Sequence, residues 1–359
     1  MPARGSRDCR FPPGGTSQPQ PSRGTTVRKE LIIARVLCLS ASDVDAVLDL
    51  ETCIPAVERA FASYATGGSQ VYPVVREQLP DIGGIFGIKS GYYRDRGWLG
   101  LKAGGFWADN RRSGLAAHQS VILLFDPATG VLAGLVDANV ITRLRTGAVG
   151  ALAARYLSPP QARRAAVIGC GAQGEIQTRA LAWALPDLAE IRCFDLSEPS
   201  ADAYIEATTD LTPPIHRASS VAEAVDGADV VVTTTPSWEP LVQDEYVGAG
   251  AHISAIGADT RGKQELDAAL FRRARVVVDD WEQAREIGES QHAHRLGWLR
   301  DEDVFAELGE IAAGRKEGRG SYSGLTIFDA TGIALQDLGA AGLAVERARE
   351  REIGTLIDV

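Results

Sequence analysis

The chain has 359 residues, 45% hydrophobic and 23% charged, which is enough apolar chain for two domains with separate cores. Its formal net charge of −10 argues against nucleic acid or an anionic membrane as a partner, because both are recognised by surplus positive surface. The cysteines, Cys9, Cys38, Cys53, Cys170 and Cys193, show neither disulfide-framework nor metal-ligand spacing, so no bound metal is expected and a reducing cytoplasm is.

Residues 1 to 26 are rich in Pro, Gly, Ser and Arg with almost no aliphatics, which predicts a disordered tail without the apolar run of a leader. No later stretch is long and apolar enough to span a membrane. A short strand is predicted over Arg35 to Leu39, then a cap at Ser40 and two helices broken near Pro55, ending at Gly67-Gly68. Val71 to Val136 reads as a Gly-rich, β-leaning region containing LGLKAGGFWADN and SVILLFD, the latter closed by a turn over 127–130. An alanine-rich helix is predicted from Thr146 to about Leu157, where Ser158-Pro159-Pro160 forbids continuation and marks a domain boundary.

From Arg164 the rhythm changes to short aliphatic runs, AAVIG, IRCFD, DVVVTTTP, AHISAIGAD and RVVVDD, alternating with helical segments. Apolar strands without polar alternation belong to a parallel sheet covered on both faces, so the fold class is α/β: a doubly wound Rossmann sheet plus a smaller α+β domain. The last segment, LTIFDATGIALQDLGAAGLAVERARE, reads as a strand followed by a long helix that returns to the first domain.

The strand AAVIG runs into Gly169-Cys-Gly171-Ala172-Gln173-Gly174, which opens a helix, and Asp195 closes the next strand 21 residues after Gly174. In that context the glycines allow a tight turn, backbone approach to a pyrophosphate and close helix packing, and the acid meets the adenosine ribose. The cofactor expected is NAD(H), since Asp195 would repel a 2′-phosphate; the bland alternative is that Asp195 caps the following helix. Ahead of this unit stand Arg76 in YPVVREQLP, Lys102 in LGLKAGG and Arg145 in ITRLRTGA. Cations in such Gly-flanked positions can converge on a carboxylate or simply face solvent, and spacing alone does not separate the two.

The ordered motifs LKAGGFWADN, TRLRTGA through AARYL, GCGAQG, IGADTRGKQEL and FDATGIALQDL resemble the ornithine cyclodeaminase/mu-crystallin family over roughly residues 35 to 350. The resemblance implies a homodimer with residues 27–157 and 326–359 as substrate-binding and dimerisation domain and 158–325 as the NAD-binding Rossmann domain. It also implies that Arg76, Lys102 and Arg145 anchor a substrate carboxylate and that Asp259 is the catalytic acid/base, beside Lys102. Asp259 closes the strand AHISAIGAD, the edge where doubly wound sheets bind ligands, and a pKa raised by partial burial would let it hand over a proton. The alternative for Asp259 is a turn cap, and Lys263 is expected to pair with Glu265 or solvent.

Thr146 is read as capping its helix and offering N–H groups to an anion, Thr235 and Thr331-Gly332 as cofactor contacts, and His118 as a reader of the substrate side chain or a structural histidine. Lys89, in GIFGIKSGYY, departs from the acidic residue that suits ornithine's ammonium in the cyclodeaminases, and would favour a second carboxylate or else point to solvent. YPVVRE and LGLKAGGFW are most similar to the branch that reduces iminosuccinate. The expected activity is therefore NADH-dependent reduction of a small imino acid, iminosuccinate to aspartate first. The alternatives are ornithine cyclodeamination, another ketimine reductase or alanine dehydrogenase, and a cofactor-loaded binding protein without activity.

Overall fold

In a computed structural model that describes residues 35–359, strand β1 (Arg35–Leu39) leads through Ser40, whose side chain caps helix α1 (Ala41–Val47). The tail expected over residues 1–26 lies outside the described residues. The break between the first two helices is at Leu48 and Asp49, not at Pro55. Asp49 and Thr52 form a reciprocal cap that starts α2 (Leu50–Ala65), and Pro55 sits inside that helix. There the proline ring forfeits a single backbone hydrogen bond near the helix start, while the cap and a buried face that includes Ile54, Val57 and Phe61 hold the helix together.

Next come β2 (Gln70–Val71), β3 (Val75–Leu79), β4 (Gly84–Tyr93), β5 (Trp98–Trp107), β6 (His118–Phe125), β7 (Leu132–Asp137) and α3 (Ala138–Leu157). Helix α3 begins eight positions before the expected start at Thr146, because Asp137, at the end of β7, accepts from the Asn139 and Val140 amides and caps it directly. The helix is buried on nearly all sides, so it has no polar stripe from which its length could be read.

The remainder runs β8 (Arg164–Ile168), α4 (Ala172–Ala184), β9 (Glu190–Phe194), α5 (Glu198–Ala207), β10 (Ile215–Arg217), α6 (Val221–Val225), β11 (Val230–Thr233) and β12 (His252–Ala255). After these follow β13 (Arg275–Val278), α7 (Trp281–Ile287), α8 (Ser290–Arg295), β14 (Val304–Glu307), α9 (Leu308–Ala312), β15 (Thr326–Asp329), α10 (Ala334–Glu350) and β16 (Thr355–Asp358).

Two sheets result. The first is mixed, in the order β16-β1-β7-β6-β5-β4-β2 with β3 also on β4, and α2, α3 and α10 pack against it. Ile122, Leu124, Val136 and Trp98 face those helices, each such side chain contributing roughly 1.5–3 kcal/mol on burial. The second sheet is parallel throughout, in the order β10-β9-β8-β11-β12-β15-β13-β14, and its strand order reverses between β8 and β11. Ligands bind such sheets at that reversal, outside the carboxyl ends of the strands.

A division at 325/326 misplaces β15. Thr326–Asp329 is hydrogen-bonded between β12 and β13 in the second sheet, and only from α10 onward does the chain return to the first. All four residues of β15 are buried, and its apolar pair Ile327 and Phe328 lies between Ile253 and Ser254 of β12 and Val276 and Val277 of β13.

Candidate active site

The turn after β8 places three glycines for distinct reasons. Gly169 has φ +102°, a left-handed conformation that side chains resist, and a side chain on Gly174 would begin 2.1 Å from the Gly169 carbonyl oxygen. Gly171, the N-cap of α4, has no heavy atom within 4 Å of where a side chain would start, and Ala172 beside it is exposed. An open helix N-terminus approached by bare backbone is built for a pyrophosphate, so the residues present fit a dinucleotide. Gln173 follows, partly buried, with its side-chain oxygen unpartnered.

At the end of β9, Asp195 accepts the Cys170 amide at 2.8 Å and the Ser197 amide at 2.8 Å. Ser197, not Asp195, caps α5. Across the crevice the hydroxyl of Thr234 donates to the Gly169 carbonyl at 2.9 Å, while the hydroxyl of Thr235 donates to buried Glu265 at 2.8 Å. Thr235 thus stands against the glycine turn, but its donors are already spent on Glu265.

The cations of the first sheet do not face solvent. Lys89 and Lys102 are directly opposite each other on β4 and β5, both about 8% exposed, although like charges so placed repel. The Lys89 ammonium donates to the carbonyls of Thr331 and Gly332 at 2.8 and 2.7 Å, and burial, with Arg145 and Arg76 nearby, lowers it to about 8. Lys102 donates to Asp337 at 2.9 Å and to Thr142 at 3.3 Å. Burial pushes it down to about 7 against the pull of Asp337. Arg145 projects from α3, its Nε 3.0 Å from the same Asp337 oxygen and its Nη1 2.9 Å from the Gln336 side chain. Gly332, at φ +79°, gives the guanidinium room: a side chain there would begin 2.8 Å from Nη1.

Asp259 lies four positions beyond β12, on the loop that turns at Gly262. Arg76 Nη2 donates to its Oδ2 at 2.9 Å and also to the Thr260 hydroxyl at 2.8 Å, and Lys263 Nζ donates to its Oδ1 at 2.9 Å. Two expectations are corrected here. Lys263 pairs with Asp259, because Glu265 is turned inward onto Thr233, Thr235 and the Gly257 amide. And although burial raises the Asp259 carboxyl, Lys263, Arg76 and Lys89 together outweigh it and hold the group well below the ordinary carboxylate range.

Of the remaining candidates, Thr146 is buried in the middle of α3, its carbonyl taken by Gln177, so it neither caps the helix nor offers free amides. Its helix starts at Ala138, which moves the N-terminus eight residues away. Thr331 donates to Asp279 at 2.9 Å, and its carbonyl serves Lys89. The half-buried His118 shares a hydrogen with Asn139 at 3.1 Å, and burial with the Lys102 charge lowers its pKa. A cleft of about 840 Å³ opens beside Arg76 and Thr260, walled by Tyr64, Tyr72, Glu77 and Glu286.

Sequence reasoning missed Asp337, Asp279 and Thr260. Asp337 carries a usable signal: an acid in the apolar run IALQDLGAAG must be buried, and a buried acid needs a cation. No comparable pattern announces Asp279, which binds a turn that only the fold brings to it.

The profile of the ornithine cyclodeaminase/mu-crystallin family matches residues 35–352. Iminosuccinate reductase of Paracoccus denitrificans is 37% identical over 324 residues, covering 90% of this chain and all of that one. Its structure in complex with NAD+ superposes with a TM-score of 0.85 at 36% identity, over 90% of this chain and 100% of that one. An archaeal alanine dehydrogenase dimer with bound NAD gives 0.85 at 37% identity, over 90% and 99% of the two chains. The Δ1-pyrroline-2-carboxylate reductase of Thermococcus litoralis, solved with NADH and L-proline, gives 0.86 at 30% identity, over 89% and 99%.

Proposed function

The chain belongs to the ornithine cyclodeaminase/mu-crystallin family, and from that premise we propose that it is an NADH-dependent oxidoreductase reducing the C=N carbon of a small imino acid with two carboxylates. Iminosuccinate to aspartate is the preferred pair. The observation that carries this reading is the charge of the site. Arg76, Lys89, Lys102, Arg145 and Lys263 bring five cations to two carboxylates, Asp259 and Asp337, in a chain whose overall charge is −10. A surplus of three partly buried cations is costly unless anions complete the site, and a dicarboxylate supplies them. Ornithine's distal ammonium would add to the surplus.

NADH, when bound across the glycine turn with Asp195 at its ribose, supplies the hydride. The chain's own residues do the rest. Lys102 and Arg145 grip one carboxylate and Lys89 the other, which fixes the imine carbon in one orientation. Asp259, kept ionised by its neighbours, favours the protonated imine, whose carbon is the better hydride acceptor. The carboxylate held by Lys89 also draws on Arg76, whose charge acts on Lys89, and by competing with Asp259 for that guanidinium it leaves the Asp259 carboxylate free to face the iminium.

The first sheet also carries the partner surface. Leu99, Leu101 and Leu123 are half-buried and Leu135 is 38% exposed, on the face turned away from the helices. A second copy of the chain covers this apolar face, giving a homodimer. No helix among the described residues is long and apolar enough to cross a membrane.

The test is NADH oxidation with oxaloacetate, pyruvate and larger 2-oxo acids, each with ammonia or methylamine, beside ornithine with NAD+. Net oxidation led by oxaloacetate supports the reading. Ammonia released from ornithine without net NADH formation would replace it with the cyclodeaminase.

A further inference from the structure

Asp337 lies in the first turn of α10, 1% exposed, among Leu335, Leu338, Ala340 and Ala341. One of its oxygens, Oδ1, accepts from both Lys102 Nζ at 2.9 Å and Arg145 Nε at 3.0 Å, while Oδ2 is buried without a partner. Two cations sharing one oxygen are held at a fixed separation, on strand β5 and helix α3 respectively, and neither element sets that separation alone. The sharing also leaves donors over. With Thr142 and Asp337 satisfied, one hydrogen of the Lys102 ammonium is free, and Arg145 Nη2 has no acceptor among the described residues.

We propose that Asp337 is a positioning residue of the substrate site: it sets the spacing of Lys102 and Arg145 and keeps Lys102 cationic, so that the two close on a single substrate carboxylate. This rests on the reading of Lys102 and Arg145 as carboxylate anchors. The groups facing Lys102 are Asp337 on α10, Arg145 on α3, Lys89 on β4 and His118 on β6; among them only Asp337 favours the charged amine. Burial already lowers Lys102 to about 7, so losing the one opposing charge leaves it neutral in neutral solution.

The test titrates succinate, a dicarboxylate that accepts no hydride, calorimetrically into the NADH-loaded full-length protein between pH 6 and pH 9. Wild-type protein is expected to bind succinate with an affinity that falls as pH rises through the Lys102 transition. Asp337→Asn should weaken binding at least tenfold at neutral pH and move that fall at least one pH unit toward acid, with the variant-to-wild-type ratio shrinking as pH drops. Asp337→Glu retains the charge but displaces it, and should weaken succinate at least tenfold without moving the fall. Should the Asn variant not fold, the Glu variant alone decides, and an affinity within twofold of wild type overturns the proposal. It is also overturned if the Asn variant matches wild type at every pH, if it loses the same factor throughout, or if wild-type protein does not bind succinate. Wild-type protein that binds succinate with this pH profile yet oxidises no NADH with any oxo acid and ammonia would sink the reductase reading and leave the role of Asp337 standing.

Discussion

Arg76 Nη2 lies 2.9 Å from Asp259 Oδ2, so a cation from the first sheet meets an acid on the loop beyond β12 of the second. The pair, together with Lys263, keeps Asp259 ionised, and under the proposed mechanism what it contributes to turnover is its negative charge. Asp259→Asn retains shape and hydrogen-bonding capacity but removes that charge. It should lower turnover by roughly two orders of magnitude while leaving the NADH dissociation constant within about threefold of wild type. Single-turnover kinetics with fluorescence titration of NADH measure both, and unchanged turnover would take Asp259 out of the mechanism.

Asp195 is held by two amides, from Cys170 and Ser197, which leave its oxygens lone pairs toward the crevice. NADH should therefore bind at least tenfold more tightly than NADPH, a ratio that needs only about 1.4 kcal/mol. Asp195→Ala should bring the two affinities together. Equal affinities in the wild-type protein would show that the acid does not read the ribose.

What could be read from the chain, and what could not, follows from burial. Strands β8, β9, β11, β12 and β13 are recognisable as aliphatic runs because a sheet covered on both faces admits nothing else. Strand β10, only Ile215–Arg217 with two exposed residues, lies at the sheet edge and carries no such run. The start of α3 is hidden because a helix buried all round shows no period. In the site, Asp195 and the glycine turn follow strand ends directly, which sequence order marks, whereas the run expected to end in Asp259 stops as a strand at Ala255 and leaves the acid on the loop beyond it. Lys89 and Asp337 acquire meaning only through register and crossing: one faces Lys102 across a ladder, the other reaches it from a helix 235 positions later.

The apolar outer face of the first sheet gives a prediction about assembly. Leu123, in the middle of β6, is half-buried in the single chain and flanked by Leu101 on β5 and Leu135 on β7. Leu123→Asp leaves the helix-facing core untouched and places a charge in the contact. It should turn a dimer into monomers at micromolar concentration with the circular dichroism spectrum unchanged, as sedimentation velocity would show. A wild-type protein that sediments as a monomer would remove this face from the interface.

On the reading proposed above, Lys89 is the residue that selects a substrate with a second carboxylate. Its ammonium is fixed by the Thr331 and Gly332 carbonyls, and the turn carrying them is itself clamped by Asp279, which accepts from the Thr331 hydroxyl and the Gly332 amide. Two of its three hydrogens are thereby used and one remains for an anion. At ~4 Å and an effective dielectric near 20, its attraction for a carboxylate is about 4 kcal/mol before screening and desolvation, and its repulsion of an ammonium is similar. The structure rules out the solvent-facing alternative, since Lys89 is only 8% exposed. Lys89→Ala should then reduce kcat/KM with oxaloacetate plus ammonia at least tenfold more than with pyruvate plus ammonia, because only oxaloacetate has a second carboxylate to lose. A small general decline is expected with both substrates, since the Thr331 and Gly332 carbonyls lose their partner. Lys89→Arg, which keeps the charge, should recover part of the oxaloacetate activity. Equal losses with the two oxo acids, or a wild-type preference for pyruvate, would mean that Lys89 supports the turn and does not select the substrate.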